Sequence, residues 1–317
     1  MPWFIDWNAY RTTFEREAEK VLGQKVTVAG TADASLLPMP SLTFTDVRVG
    51  GTPDRPMMTV ERFAARIELI PLLTGEFKIV DMTLERPHVR IAVDGDGRPD
   101  WVNRSEASRE LDPDAVILER LDVVDGRIDY EDAENGSRTS VTGLNAAIEA
   151  QSLLGPWKID GGAEVAGTPV TFRVGTGRVL DDGTLRVKLD ANPASMPVSV
   201  TLDGPMAIRD EGFGWSGDFI LSHLAEAAEN AAPPPPSWRA NGKFELDPAR
   251  LRLPAFSLNE GPVDRPYTLS GALTLDLGAK ARFETVLQSR QIDIDRSVGE
   301  GPGKPADVPS AVSALLA

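Results

Sequence analysis

From Gly23 onward the apolar residues of this chain recur at every second position, and that alternation constrains the fold more than any other feature. Successive side chains of an extended strand point to opposite faces, so a period of two reads as strands with one buried and one wetter face. The clear runs are Ile67/Leu69, Val89/Ile91/Val93, Ile128/Tyr130, Val170/Phe172/Val174, Leu185/Val187/Leu189 and Val198/Val200/Leu202. Between them stand Gly95-Asp-Gly97, Asp125-Gly126, Asn135-Gly136 and Asp182-Gly183, which supply the positive φ angles of tight hairpin turns and so imply antiparallel neighbours. A modest helical spacing also runs from Leu111 to Leu121, but no long helices alternate with strands as a parallel α/β sheet requires. The expected fold is mainly β: a curved, repetitive antiparallel sheet forming a groove built of hairpins, with one N-terminal amphipathic helix.

That helix is read from Trp7, Tyr10, Phe14, Ala18 and Val21, which recur at three- and four-residue steps. Asp6 is placed to cap its start and Gly23 to end it in a left-handed conformation. Trp3, Phe4, Trp7 and Tyr10 have two readings: a hydrophobic staple onto the sheet, or the aromatic belt found where a chain leaves a bilayer. Later, one strand phrase recurs: Trp215-x-Gly217-x-Phe219-x-Leu221, Ala240-x-Gly242-x-Phe244-x-Leu246, then Leu269-x-Gly271-x-Leu273-x-Leu275. Glycine in mid-strand marks a bulge or sharp curvature, so the repeat predicts a curved sheet of hairpins. Pro233 to Pro236 cannot join a ladder and reads as an exposed connection, and the Gly/Pro/Ala-rich stretch from Ser297 as a disordered or incomplete end. The expected division is therefore helix 1–23, β-groove body 24–232, Pro-rich connection 233–237, continuing groove 238–296 and tail 297–317.

Composition excludes several functions. The 317 residues carry 33 Lys+Arg against 48 Asp+Glu, a formal charge of -15, which repels a phosphate backbone and gives no polybasic grip on anionic headgroups. Nucleic acid is therefore not an expected partner. With no cysteine there are no disulfides, thiolate nucleophiles or Cys-based metal sites. No run reaches the roughly 18 to 20 apolar residues of a membrane span, and the start lacks the n- and h-regions of a signal peptide.

The search for chemistry ends without a catalytic set. His88 and His223 stand in separate contexts, with no zinc-binding spacing, so no metal is expected. Asp94-Gly-Asp96-Gly-Arg-Pro-Asp100 has alternating carboxylates, but the twelfth position of the loop is Ser105 where a calcium site needs Glu; it reads as a turn. Asp293 and Asp295 share one strand face, yet nothing separates their pKa values as acid–base work demands. Ser152 lacks a nucleophile elbow, and no phosphate loop is present. The reading is of a protein that is not an enzyme and has no cofactor.

The ordered motifs resemble the AsmA family of bacterial envelope proteins. They are Ile5-Asp-Trp-Asn-x-Tyr-Arg11; Val21-Leu-Gly-Gln-Lys-Val26-Thr-Val-Ala-Gly30; Leu37-Pro-Met-Pro-Ser-Leu-Thr-Phe-Thr-Asp46-Val-Arg-Val-Gly50; Ile70-Pro-Leu-Leu-Thr-Gly75; Leu84-Glu-Arg-Pro-His-Val89; the turn before Trp101; Leu121-Asp-Val-Val-Asp-Gly126-Arg-Ile-Asp-Tyr130; and Arg290-Gln-Ile-Asp-Ile-Asp-Arg296. The resemblance is strongest over residues 5 to 130 and covers nearly the whole chain. It implies an inner-membrane anchor just before Ile5, a periplasmic β-rich body and a role in outer-membrane assembly or lipid homeostasis; it favours the aromatic-belt reading of Trp3 to Tyr10. The sequence departs from it by lacking that anchor and by stopping in a Pro/Ala tail, and so reads as a fragment.

The resemblance further links the chain to bridge-like lipid-transfer proteins, whose apolar groove shields acyl chains. Candidate groove residues are Ile67, Leu69, Val89, Ile91, Val93, Val170, Phe172, Val174, Leu185, Val187, Leu189, Phe219, Leu221, Phe244, Leu246, Leu273 and Leu275. Each is equally readable as an ordinary sheet-core residue; the assembled face decides. The expected cargo is membrane lipid, with phospholipid first, and outer-membrane assembly proteins are possible partners. The rival reading is a scaffold or chaperone-like protein that engages outer-membrane proteins through a strand edge.

Overall fold

The computed structural model describes residues 11–35, 41–67, 77–93, 116–133, 136, 138–209, 212–223, 238–260, 266–277 and 282–289. The Asp6 cap, the Trp3 to Tyr10 cluster, Leu69, the Gly95-Asp-Gly97 turn, the Asp94 to Asp100 loop, the 233–237 connection, Asp293, Asp295 and the 297–317 tail lie outside them.

The chain opens with helix α1 (Arg11–Leu22). It stops where expected: Gly23 takes a φ of 65° and donates its N–H to the Glu19 carbonyl at 2.8 Å. The strands follow as β1 (Val26–Val28), β2 (Ala32–Ser35), β3 (Ser41–Val49), β4 (Met58–Ile67), β5 (Phe77–Glu85), β6 (His88–Val93), β7 (Val116–Asp132), β8 (Arg138–Ala150) and β9 (Trp157–Val165). Then come β10 (Thr168–Thr176), β11 (Thr184–Pro193), β12 (Val198–Arg209), β13 (Gly212–His223), β14 (Trp238–Leu246), β15 (Arg250–Glu260), β16 (Tyr267–Asp276) and β17 (Arg282–Ser289). All belong to one seventeen-stranded sheet. From β7 to β17 each strand pairs antiparallel with the next in sequence, and the β13–β14 ladder runs unbroken from Trp215↔Leu246 to Ser222↔Arg239 on either side of the Pro-rich connection.

Three expectations need correction. The sheet is not antiparallel throughout: β5 and β6 follow one another along β7 and both pair with it in parallel. Parallel neighbours need a crossover rather than a tight turn, so the Gly95-Asp-Gly97 signal does not make β6 and β7 a hairpin. Asp125-Gly126 is also not a turn. It lies inside β7, where Asp125 has a φ of 52° and the register to β8 shifts, forming a bulge whose exposed Asp125 N–H is accepted by Asn145 Oδ1 at 3.1 Å. Finally, the helical spacing from Leu111 to Leu121 ends in extended chain from Val116 onward, because pairing on both sides of β7 overrides a local preference.

Helix α1 closes one edge of the sheet. β1 pairs with β3 on its inner side, which leaves the N–H groups of Val26 and Val28 pointing outward. Glu19 Oε1 accepts from Val26 at 3.1 Å and Glu15 Oε1 from Val28 at 2.8 Å, while Arg11 donates to the Gly30 carbonyl at 2.8 Å. Side chains four residues apart on a helix face the same way, so one stripe of α1 supplies the partners a further strand would otherwise provide. Beneath it Phe14 stacks on Phe44 with ring centroids 3.9 Å apart and meets Phe63 at 5.6 Å, over buried Val26, Val28, Val47, Val49 and Val60.

The apolar face of the sheet as the candidate functional site

Residues paired across a ladder share a face, so the registers can be followed strand by strand. Starting in β3, the sequence of partners is Leu42, Ala65, Met82, Leu121, Ile148, Ile159, Val174, Leu189, Leu202, Phe219, Gly242, Phe256, Gly271 and Leu287. The row crosses the sheet to β17 without one polar side chain. One residue along, the partners are Thr43, Ala64, Thr83, Asp122, Ala147, Asp160, Arg173, Asp190, Thr201, Ile220, Asn241, Ser257, Ser270 and Gln288, a row that is mostly polar. The sheet is thus apolar on one face and wet on the other across its full width.

Every described groove candidate falls on the apolar face. Val89, Ile91 and Val93 pair with Ile128, Tyr130 and Asp132 of β7; Val170, Phe172 and Val174 lie opposite Pro193, Ala191 and Leu189; Leu273 and Leu275 follow Gly271. Leu185, Val187, Phe219 and Phe244 form a buried cluster with Trp215 and Ala240, against which Val174, Leu189, Leu221 and Leu246 pack. Ile67 ends β4, and its side chain, like Leu69, is outside what is described.

The repeated Gly-x-Phe phrase explains the packing of that cluster. In antiparallel register Gly217 opposes Phe244 while Phe219 opposes Gly242, so each phrase fills the gap left by the other. Phe256 then lies between Gly242 and Gly271. A Cβ on Gly204, Gly217, Gly242 or Gly271 would fall 1.9, 2.1, 2.2 or 2.4 Å from a neighbouring strand's backbone oxygen. Adjacent backbones therefore lean toward the apolar face along this line, creasing the sheet with that face inside. Phe244 is 1% and Phe219 3% exposed in consequence, each worth about 1.5–3 kcal/mol of burial. Trp215 meets Phe244 edge-on at 5.2 Å and donates its indole N–H to the Gly204 carbonyl at 3.2 Å.

Among the described residues the close backbone contacts of β7–β17 are with their ladder neighbours. Outside the buried cluster the apolar row is only half-buried at Leu121, Ile148, Ile159, Val174, Leu189, Leu202 and Phe256, and at its end Leu287 is 53% exposed.

Several face residues escaped the sequence reading. Leu251, Leu253, Phe256 and Leu258 line it from β15, but Pro254-Ala255 inserts a bulge that moves the apolar parity from odd to even numbers. Leu121, Val123 and Ile148 were hidden by the bulges of β7 and β8. Met206 and Trp215 were visible only through strands already recognised.

The wet face is held by cross-strand ion pairs, including Arg186–Asp203 at 2.8 Å and Arg250–Asp276 at 2.8 Å. Arg127, with Ser140 and His88 after it, holds the Asp129 carboxyl well below the usual carboxylate range; Arg186 lowers Asp203 in the same sense. His88 Nε2 lies 2.7 Å from Asp129 and Ser140 Oγ donates to the same carboxylate at 2.6 Å, so Ser and His are joined to Asp rather than to each other and form no nucleophile–base relay. Ser152 is buried in a turn, donating to the Gly155 carbonyl at 3.0 Å and accepting from Leu154 N–H at 3.2 Å. Among the described residues no group of three or more His, Cys, Asp or Glu is placed to hold a metal ion.

Comparison with known proteins adds one positive finding: the family model for the AsmA family matches residues 1–172. No curated protein and no solved structure matches the chain. Because that model covers more than half of its length, the protein belongs to the AsmA family, a group associated with the bacterial envelope and not known for enzymes.

Proposed function

We propose that this protein binds membrane lipid along the apolar face of its sheet, without chemical conversion, and conducts acyl chains across successive strands. The observation that carries the reading is the uninterrupted apolar row from Leu42 to Leu287, which outside the buried cluster of β11–β14 is only half-buried over β7–β17. An ordinary core is closed by a partner layer; here the half-buried side chains are left as a surface on which each acyl methylene gains about 0.8 kcal/mol on leaving water. Phospholipid is the first expected cargo, and charged residues on the opposite face keep the body in water. No described helix is long and apolar enough to cross a membrane; the reading places the body in the periplasm, anchored to the inner membrane by a segment before Ile5 and supporting outer-membrane assembly and lipid homeostasis.

Native mass spectrometry after gentle purification tests this. Lipid adducts are expected on the protein, and Leu189→Asp with Leu202→Asp should remove them. A folded protein that carries no lipid and acquires none from phosphatidylethanolamine/phosphatidylglycerol vesicles sinks the proposal.

A second reading, a scaffold that captures an extended segment of an outer-membrane protein, is favoured by β17, whose Phe283, Val286 and Leu287 are 62%, 73% and 53% exposed. It predicts crosslinking confined to residues 282–289, with no effect of the Leu189 and Leu202 changes.

A further inference from the structure

The wet face is not uniform. Over β9–β12 its charges are neutralised in place, as in Arg173–Asp160 and Arg186–Asp203. Over β13–β17, beside pairs such as Lys243–Asp218, the same face forms an open trough of about 1070 Å³ in which amide and hydroxyl side chains alternate with small apolar and charged ones. Asn241, Ser257, Ser270 and Gln288 are direct partners on four successive strands, and Arg239 and Asn259 are partners in the next row. They therefore present polar groups at steps of about 4.8 Å across the sheet. Asn259 accepts from Thr268 at 2.8 Å and Lys243 is paired with Asp218 at 2.6 Å. Among the described residues Asn241, Ser257, Ser270, Gln288 and Arg239 have no side-chain hydrogen-bond or ion-pair partner.

We propose that this trough binds a linear, hydroxyl-rich saccharide. A sugar chain has a rim of hydroxyls and apolar C–H faces. The ladder of unpartnered amides and hydroxyls matches the first, and the small apolar floor of Ala255 and Ala272 between Ile220 and Val286 matches the second. A strand of steps about one sugar ring apart favours an extended glycan over a compact ligand. An extended peptide fits less well, because backbone groups beneath the trough are already used in the β13–β17 ladders. Arg239, at one end, suits a single acidic substituent. Because the trough and the apolar row lie on opposite faces, saccharide and lipid bind independently.

The test titrates the full chain with chitotetraose, cellotetraose and maltotetraose, and with an extended Ser/Gly peptide of similar length, following amide resonances and heat. At least one tetrasaccharide should bind with a Kd of about 1 mM or tighter, perturbing β14–β17. Asn241→Ala and Gln288→Ala should each weaken it about three- to ten-fold. Ser270→Arg, which fills the exposed floor, should abolish it while the circular dichroism spectrum and lipid adducts stay unchanged. No binding by any of the three sugars at about 10 mM, binding indifferent to Ser270→Arg, or preference for the peptide overturns the proposal.

Discussion

The two edges of this sheet obey the same hydrogen-bonding rule and meet it differently. At β1 the outward N–H groups are taken by Glu15 and Glu19 of a helix that also seals the face with Phe14. At β17 the side chains stand in solvent on both faces, with Val286 on one and Leu287 on the other. Carboxylates on an edge block a further strand as effectively as a strand would, and they do so without offering another edge. Among the described residues the contrast gives the sheet a direction: a first edge covered by a helix and a last strand whose apolar side chains are exposed. Local stability should be lowest in the last strands, beyond the buried cluster of β11–β14, since opening free energy follows buried contact.

The largest test of that gradient is Gly242→Val. Its side chain would collide with the Ala255 carbonyl, so the β14–β15 ladder should separate at a cost of about 4 kcal/mol or more. Hydrogen exchange would show protection lost in β14–β17 and kept in α1–β4; loss throughout would mean the two ends are one cooperative unit. Gly175→Ala, where an added Cβ meets nothing within 4 Å, should stay within about 0.5 kcal/mol of the parent.

Next in size is a matched pair of aromatic truncations. Phe44→Ala, from a ring 4% exposed under α1, should cost about 3–5 kcal/mol in chemical denaturation. Phe283→Ala, from a ring 62% exposed in β17, should cost less than about 0.5 kcal/mol. Similar losses at the two sites would erase the distinction.

Replacing Glu15 and Glu19 together by Ala should cost about 1–3 kcal/mol for each amide left without its acceptor. The expected signature is faster exchange at Val26 and Val28 and a greater tendency to self-associate through β1. If self-association does not rise, the helix serves packing alone.

The smallest effect is acid sensitivity on the wet face. A carboxyl whose folded pKa is depressed contributes stability that is complete above its unfolded value, near 4, and is lost as pH falls through the folded value below it. Asp129 is such a group, held down chiefly by Arg127. Asp129→Asn should therefore flatten the decline in stability on acidification below about pH 4 and have less consequence for its pH slope above that. A slope unchanged by the substitution would place the acid response elsewhere.

Much of the fold was legible because alternation survives wherever a strand is regular. β10, β11, β12 and the β13/β14 repeat were read from period alone, and the stop at Gly23 from its freedom of φ. What escaped is what breaks the period. The Asp125-Gly126 bulge carries the same residue pair as a hairpin turn, and only pairing with β8 distinguishes them. The parallel placement of β5 and β6 on β7 is a long-range choice that leaves no mark in local spacing. The face residues of β15 were lost to one inserted Pro-Ala step, and the trough was invisible because isolated Ser, Asn and Gln read as solvated surface until registers align them.

The reciprocal pairing of Gly217 with Phe244 and of Phe219 with Gly242 has a consequence for how such a chain changes length. A phrase that is its own complement when laid antiparallel needs no partner evolved to fit it. A duplicated hairpin bearing Gly-x-Phe arrives already matched to the copy beside it, with its side chains on the correct face. Growth or shortening by whole hairpins then preserves the surface while altering its span, so the number of strands becomes a freely adjustable dimension, much as the number of links sets the reach of a chain without any link being redesigned.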